Sequence, residues 1–554
     1  MVIFLLLRSF LAYGEPNPPD RDISAAYYHF LRAELYAKEG YVDLAIEEFT
    51  QASERDPASI YLHDILASLF HQQNLLEEAL KQCEQILVID PDNVSVLLRM
   101  ARISSQQEDE GKAVSLYEKA IGIDGDNPMP YLLLGRLYSA REDYESSLKI
   151  YQQLIDRVPD SYVAYYYSAK VYIELNMIDK AVDYLKRAIQ IDPQYKPALI
   201  RLAAVYEHQK LYDQAIEIYS QLIKQDPYSL EFRDQLGKLF VRQNKLDEAL
   251  QEFLAIQERE PDNVDVYVKL GLIYFEQKSY PSAIEAFEKY LESNPEDAEI
   301  RLYLGLSYGE NQELEAGVQE FKRILSSHPD SIKARLHLSY AYQKMDQWPE
   351  AIHVLQEAIE RQPEDVDLYL ALALTYNQTR QYQEAVNILT RGLEIAQEDE
   401  DLHFYLGVFY EKVDRFTESI QEFTRAIGLN PKRAEAYNYI GYMYAEKGIN
   451  LEEAIDHIKK ALAMDPENGA YLDSLGWAYY KKGLLDKSII ELNRAIQYVT
   501  DDPVIFEHLG HVYYRKGDFS QAQHYLQKSL ELDPNNQKVE QKLEDLRMLL
   551  EKSK

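Results

Sequence analysis

The sequence predicts an all-α solenoid, fifteen helix-turn-helix repeats in tandem closed by a capping helix. Two observations carry this. Pro57, Pro91, Pro159, Pro193, Pro227, Pro261, Pro295, Pro329, Pro363 and Pro431 are separated by multiples of 34 residues, and Pro466 and Pro534 follow after a one-residue slip. A fixed period of this length marks a repeat array rather than a globular enzyme core. Within a period, apolar residues recur three and four apart in two separate blocks, the spacing of one face of a helix.

The copy from Val264 to Asp297 shows how a unit should fold. Tyr267, Leu270 and Tyr274 line one face of a first helix, and Ala283 and Phe287 line a second. Gly271 and Ala283 are small where the helices cross closely, and Tyr267 and Phe287 fill the space beside the crossing. Pro281, like Pro349 at the same repeat position, falls where the second helix begins, and a first-turn proline is tolerated there. The closing proline lacks an N–H and turns its predecessor away from helix, so the second helix stops. Together Tyr267, Leu270, Gly271, Tyr274, Ala283, Phe287 and Pro295 resemble the tetratricopeptide pattern W-x2-L-G-x2-Y…A-x3-F…P, with Tyr267 in the place of Trp. The resemblance implies a right-handed superhelix whose concave surface is lined by the first helices, at repeat positions 2, 5, 9, 12 and 13.

The copies start at Ala26, Ile60, Val94, Pro128, Tyr162, Lys196, Leu230, Val264, Ala298, Ile332, Val366, Glu400, Ala434, Gly469 and Pro503. The expected organisation is an apolar segment over 1–14, a linker over 15–25, repeats over 26–536 and a capping helix over 537–554. Three copies place Gly125, Gln397 and Thr500 in the proline slot; glycine still breaks a helix, whereas the other two predict a smoother join. One extra residue falls in Gly448-Ile449-Asn450-Leu451, a turn where insertion costs little. Val539, Leu543, Leu546 and Leu550 share one face of the terminal helix, which should cover the last repeat and turn a polar back to water.

Formal charge is −34, from 59 basic and 93 acidic residues. A field of that sign opposes phosphate backbones and anionic lipid, so no nucleic-acid partner is expected. Cys83 stands alone in the slot that Phe287 fills in its own copy, which makes it a small core residue and rules out an intrachain disulfide. Val2 to Leu7 is apolar but too short to span a bilayer, which takes about 20 residues. Ala12-x-Gly14 followed by Glu15-Pro16-Asn17-Pro18-Pro19 reads as a cleavage site and mature-end linker, although no positive charge precedes the apolar run. Export to the periplasm or cell envelope is the expectation; the cytoplasm is the alternative.

No phosphate loop, Walker lysine, G-x-S-x-G elbow or H-E-x-x-H motif occurs. His508 and His511 stand three apart on a helix, but no third metal ligand is evident. No catalytic residue, cofactor, metal or small-molecule substrate is expected. Repeat arrays also precede sugar-transfer domains, yet no residues remain here to build one.

The predicted partner-binding strip follows the first helices: Val268 and Leu272, Leu302 and Leu306, Leu336 and Tyr340, Leu370 and Leu374, Phe404 and Val408. Asn438 and Tyr442, Trp477 and Tyr480, and His511 and Tyr514 continue it. Apolar strips of this length mark protein interaction sites, gripping a helix or extended peptide by apolar and aromatic anchors. Packing between neighbouring helices is the competing use of the same side chains. A lysine–asparagine clamp for a peptide carboxylate is disfavoured, since positions 5 and 9 read Leu98 and Arg102, or Asp234 and Lys238.

The stretches Gly441–Ala454, Asn468–Tyr480 and Asp502–Gly510 resemble a group of exported, envelope-associated bacterial tetratricopeptide scaffolds, often lipoproteins. One such scaffold delivers substrates to a carboxyl-terminal-processing protease. The resemblance implies an envelope scaffold for protein partners, while the missing lipobox cysteine removes the lipid anchor from that expectation.

Overall fold

The computed structural model describes residues 18–552, with side chains from 22 to 548. Among the described residues there are 31 helices and no strand. The chain divides into two compact units, Met1–Pro261 and Asp262–Lys554. Within each, a first helix packs on its own second helix, and each second helix packs on the next first helix. Each unit is thus the all-α solenoid the period predicts.

From Ile60 onward, every predicted repeat start is the first residue of a helix. The phase is set by capping: Asn93, Ser331, Asp365 and Asp399 precede first helices and accept backbone N–H groups left free in the opening turn. The opening helix differs from expectation, running Pro18–Lys38 through residues read as linker. Pro18 and Pro19 lie in its first turn, where the missing N–H costs nothing. The apolar segment 1–14 lies outside the described residues. No described helix is long and apolar enough to cross a membrane.

The turn inside each repeat carries one residue in the left-handed region, always at the same repeat position. It is glycine at Gly40, Gly448, Gly483 and Gly517, but asparagine, glutamine or a charged residue elsewhere, as at Asn74, Gln312, Glu142 and Lys278. Asn450, beside the inserted residue, is a second left-handed position in its turn.

The joints at Gln397 and Thr500 correct the expectation of smoother joins. Helices end at Ile395 and Tyr498 and restart at Glu400 and Pro503, the same interval that separates Ser293 from Ala298 across Pro295. Asp399 and Asp502 cap the next helix through Leu402 N at 2.9 Å and Val504 N at 2.8 Å. The cap enforces the break where proline is missing.

The first aromatic place of the pattern has a role beyond filling space. His63, Tyr131, Arg335, Tyr369 and His403 share the repeat position of Tyr267. Each donates to the carbonyl of the preceding closing residue, at 3.2 Å to Pro57, 3.1 Å to Gly125, 2.7 Å to Pro329, 2.9 Å to Pro363 and 3.0 Å to Gln397. That carbonyl sits past the end of a helix and needs a donor.

Tyr267 and Phe287 are buried as expected, as are Val539, Leu543 and Leu546 of the capping helix Gln537–Lys552. Leu550 lies beyond the described side chains. Cys83 is fully buried, and burial pushes its thiol up to about 11, so it stays protonated.

Candidate functional site

The predicted strip divides by burial into three groups. Tyr340 and Leu374 are exposed, at 54 % and 37 %. Val268, Leu272, Leu302, Leu306, Leu336, Leu370, Val408, Tyr442, Tyr480 and Tyr514 are half-buried against the cores of their own repeats. Phe404 and Trp477 are buried, which corrects their assignment as partner contacts. Phe404 lies among Phe423, Tyr439 and Tyr405, with the Arg433 guanidinium 4.1 Å from its ring centre. Trp477 stacks on His508 at 4.0 Å and donates from Nε1 to Glu446 at 2.6 Å. Position in a repeat alone cannot separate these cases, because neighbouring side chains decide whether an inner position is covered.

Tyr340 borders a cleft of about 240 Å³ lined also by Gly305, Leu306, Gly309, Phe321, His337 and Lys344. The second helix of repeat nine supplies Phe321; the first helices of repeats nine and ten supply the rest. A Cβ on Gly309 would meet nothing within 4 Å, so this glycine leaves the cleft open rather than relieving a clash. Repeat eight has Phe275 at that place and repeat ten has Gln343. His337 stacks on Phe321 at 5.9 Å, and burial together with Lys333 holds its pKa below the ordinary value, so the imidazole is neutral near pH 7. The volume is smaller than the roughly 300–1,000 Å³ of small-molecule pockets. It suits one side chain of a larger partner. The sequence reading took Leu306 and Tyr340 but missed Gly309 and His337. A glycine where no helix crosses closely was the available signal.

His508 and His511 are held apart by different partners. His508 Nδ1 lies 2.8 Å from Asp473 Oδ1 in a buried pair. His511 lies 3.4 Å from Glu507, and Lys542 of the capping helix places Nζ 3.2 Å from its ring. The hydrogen bond from His511 is the main influence holding the Glu507 carboxyl below its usual range. Burial lowers the Lys542 pKa. No group of three metal-binding side chains is found among the described residues. The arrangement clamps the capping helix to the last repeat.

An array of helix pairs presenting first-helix faces defines a class of repeat scaffold, and the family models agree. Tetratricopeptide repeat models match residues 30–94, 94–127, 132–196, 172–239, 235–298, 343–406, 410–466 and 503–536, and a TPR repeat model matches 476–517. The chain belongs to the tetratricopeptide repeat family, whose fold is consistent with protein–protein interaction and is typically non-catalytic. Residues 276–358 also match a model described as anaphase-promoting complex, cyclosome, subunit 3. Among solved structures, the APC/C hetero-tetramer Cut9–Hcn1 is similar at 17 % identity, covering 87 % of this chain and 96 % of that one, with a TM-score of 0.37. Naa15/Naa10 bound to HypK-THB matches at 14 %, covering 95 % and 96 %, with a TM-score of 0.34. Yeast Tom70 matches at 15 %, covering 77 % and 97 %, with a TM-score of 0.35. No curated protein matches the chain.

Proposed function

We propose that the chain is a non-catalytic scaffold that captures partner polypeptides on its first-helix faces, with an anchoring site at repeats nine to eleven. One observation carries this reading: Tyr340, exposed, lines the Gly309 cleft, and Leu374, at the same position of the next repeat, is exposed as well. Apolar side chains exposed next to a cleft of side-chain size are what a partner's anchor residue would cover. The test is crosslinking capture by the full chain against its L306A/Y340A/L374A variant. Loss of the captured polypeptides with helicity unchanged supports the site, and undiminished capture rejects it.

We also propose export to a cell envelope, on the apolar run Val2 to Leu7 and the small-x-small step Ala12-x-Gly14. N-terminal sequencing of the protein from its native cells decides this. A mature end just past Gly14 supports export, and retained Met1 overturns it.

A further inference from the structure

The first-helix faces of repeats three to six oppose the charge of the chain. Their inner positions 2, 5, 9, 12 and 13 carry Arg102, Arg136 and Lys170 against Glu174 and Glu207, with Arg99 and Arg201 at the adjoining position 6. In a protein of net charge −34, this is a local reversal of sign. Arg99 is ion-paired with Asp64 at 2.8 Å, and Glu207 is occupied by the Tyr219 hydroxyl at 2.8 Å. Arg102, Arg136 and Arg201 are exposed and Lys170 is half-buried, and none of the four has an ion-pair partner among the described residues. Lys170 lies over the Tyr167 ring at 5.5 Å.

The leading three fall on one register. Arg102, Arg136 and Lys170 all occupy position 9, on the first helices Val94–Gln106, Pro128–Ala140 and Tyr162–Glu174. The last two of these helices pack directly on one another. Tyr117, on the intervening second helix, feels the positive field of both Arg102 and Arg136. In unit two, position 9 reads Leu272, Leu306, Tyr340, Leu374, Val408, Tyr442 and Trp477, apolar or aromatic until His511 in the last repeat. The same row is therefore cationic and unpaired over repeats three to five, between Ser68 and Ala204, and mainly apolar in unit two.

Unpaired cations in an acidic chain are not explained by solubility, which its carboxylates already supply, nor by internal ion pairs, which these residues do not make. We propose that the position-9 row of repeats three to five docks an extended, aspartate- or glutamate-rich segment of a partner protein. Charge complementarity selects that occupant. The surrounding field of 93 acidic residues repels every anion in proportion to its charge, so it favours a peptide with a carboxylate at intervals over a polyphosphate backbone charged at every unit. Adjacent first helices stand about one helix diameter apart, roughly 10 Å. A segment in the extended polyproline II conformation rises about 3.1 Å per residue with about three residues per turn, so an acidic residue at every third position presents its carboxylates on one face at about 9 Å intervals, matching the row.

The experiment is fluorescence anisotropy of the full chain with a labelled peptide of about fifteen residues carrying glutamate at every third position, with proline between to favour the polyproline II form. A lysine version of the peptide and a single-stranded oligonucleotide of equal charge are run beside it. Binding of the glutamate peptide that weakens with added salt is expected, with a loss of about tenfold or more in R102E/R136E. R102Q/R136Q gives the same direction of change without reversing charge, and circular dichroism checks that both variants fold. The L306A/Y340A/L374A variant should bind this peptide normally, which separates this proposal from the anchoring site in unit two. Absence of binding at low salt, an undiminished affinity in folded R102E/R136E, or tighter binding of the lysine peptide or the oligonucleotide would each overturn it.

Discussion

Gly271 lies directly beneath the Phe287 ring, where a Cβ would stand 2.5 Å from Cε1. The two are joined across the crossing of one repeat's helices, and the relationship recurs. A Cβ would come within 2.7 Å of the Phe253 ring at Gly237, 2.6 Å of Phe321 at Gly305 and 2.9 Å of Phe423 at Gly407. Where the ring is replaced by Leu185, Leu355 or Leu389, the small residue is Ala169, Ser339 or Ala373. The constant is small against large rather than glycine against ring: Gly476 and Gly510 lie under Leu492 and Leu526, and Ala33 with Phe49 and Ala203 with Tyr219 occupy the same two places.

Gly271→Ala should therefore destabilise by about 1–3 kcal/mol through overpacking. Phe287→Ala should cost about 3–5 kcal/mol as a truncation of a fully buried ring. The G271A/F287L double variant should be more stable than the sum of its single changes. A denaturation double-mutant cycle measures the coupling, and strict additivity would refute the pairing.

Gln397→Pro should stabilise by about 0.5–1 kcal/mol. The preceding Ala396 has φ −117° and ψ 78°, close to the φ −126° and ψ 59° of Asn294 before Pro295. The Gln397 carbonyl already accepts from His403, as the Pro57 and Pro363 carbonyls do from their partners. Proline then restricts only the unfolded chain. A higher denaturant midpoint with unchanged slope is the readout.

His403 should make stability depend on pH in the sense of a raised pKa. Burial acts to lower it, but the Glu422 carboxylate at 2.6 Å and the Gln397 carbonyl at 3.0 Å together raise it above the ordinary value. Both ring nitrogens face acceptors, so the arrangement calls for the imidazolium. The stabilisation is fully present below the unfolded pKa of about 6.5 and is lost as pH rises through the higher folded value. The midpoint difference between the native chain and His403→Gln should shrink from pH 6 upward. A flat difference would remove the assignment.

Trp477→Ala and Phe404→Ala should act on stability before binding, each costing about 3–5 kcal/mol of local stability. Trp477→Phe keeps much of the stack on His508 but loses the hydrogen bond to Glu446, so a smaller loss is expected, about 1–3 kcal/mol. Hydrogen exchange of repeats thirteen to fifteen locates the effect. Loss of partner capture by folded Trp477→Phe, with exchange unchanged, would restore Trp477 to the binding face.

Much of the fold was legible because local chemistry repeats: Gly271, Ala283, Phe287 and Pro295 each state a requirement that neighbours within one unit impose. The same reading missed the donors at the Tyr267 position, since Tyr131, Arg335 and His403 share no obvious residue type. They share only a carbonyl six residues back. It also expected softer joints at Gln397 and Thr500, because it weighed the absent proline above the caps Asp399 and Asp502.

What the sequence by itself determined is the period, the phase and the small-against-large pairing within each helix pair, all of which act over a few tens of residues. Which inner side chains remain available was decided only by tertiary structure. Leu374 and Phe404 are both inner apolar residues of first helices, yet one is exposed and the other lies under Arg433 and three rings. The reason is that exposure of an inner position depends on side chains contributed by adjoining helices, and a one-repeat pattern carries no record of them.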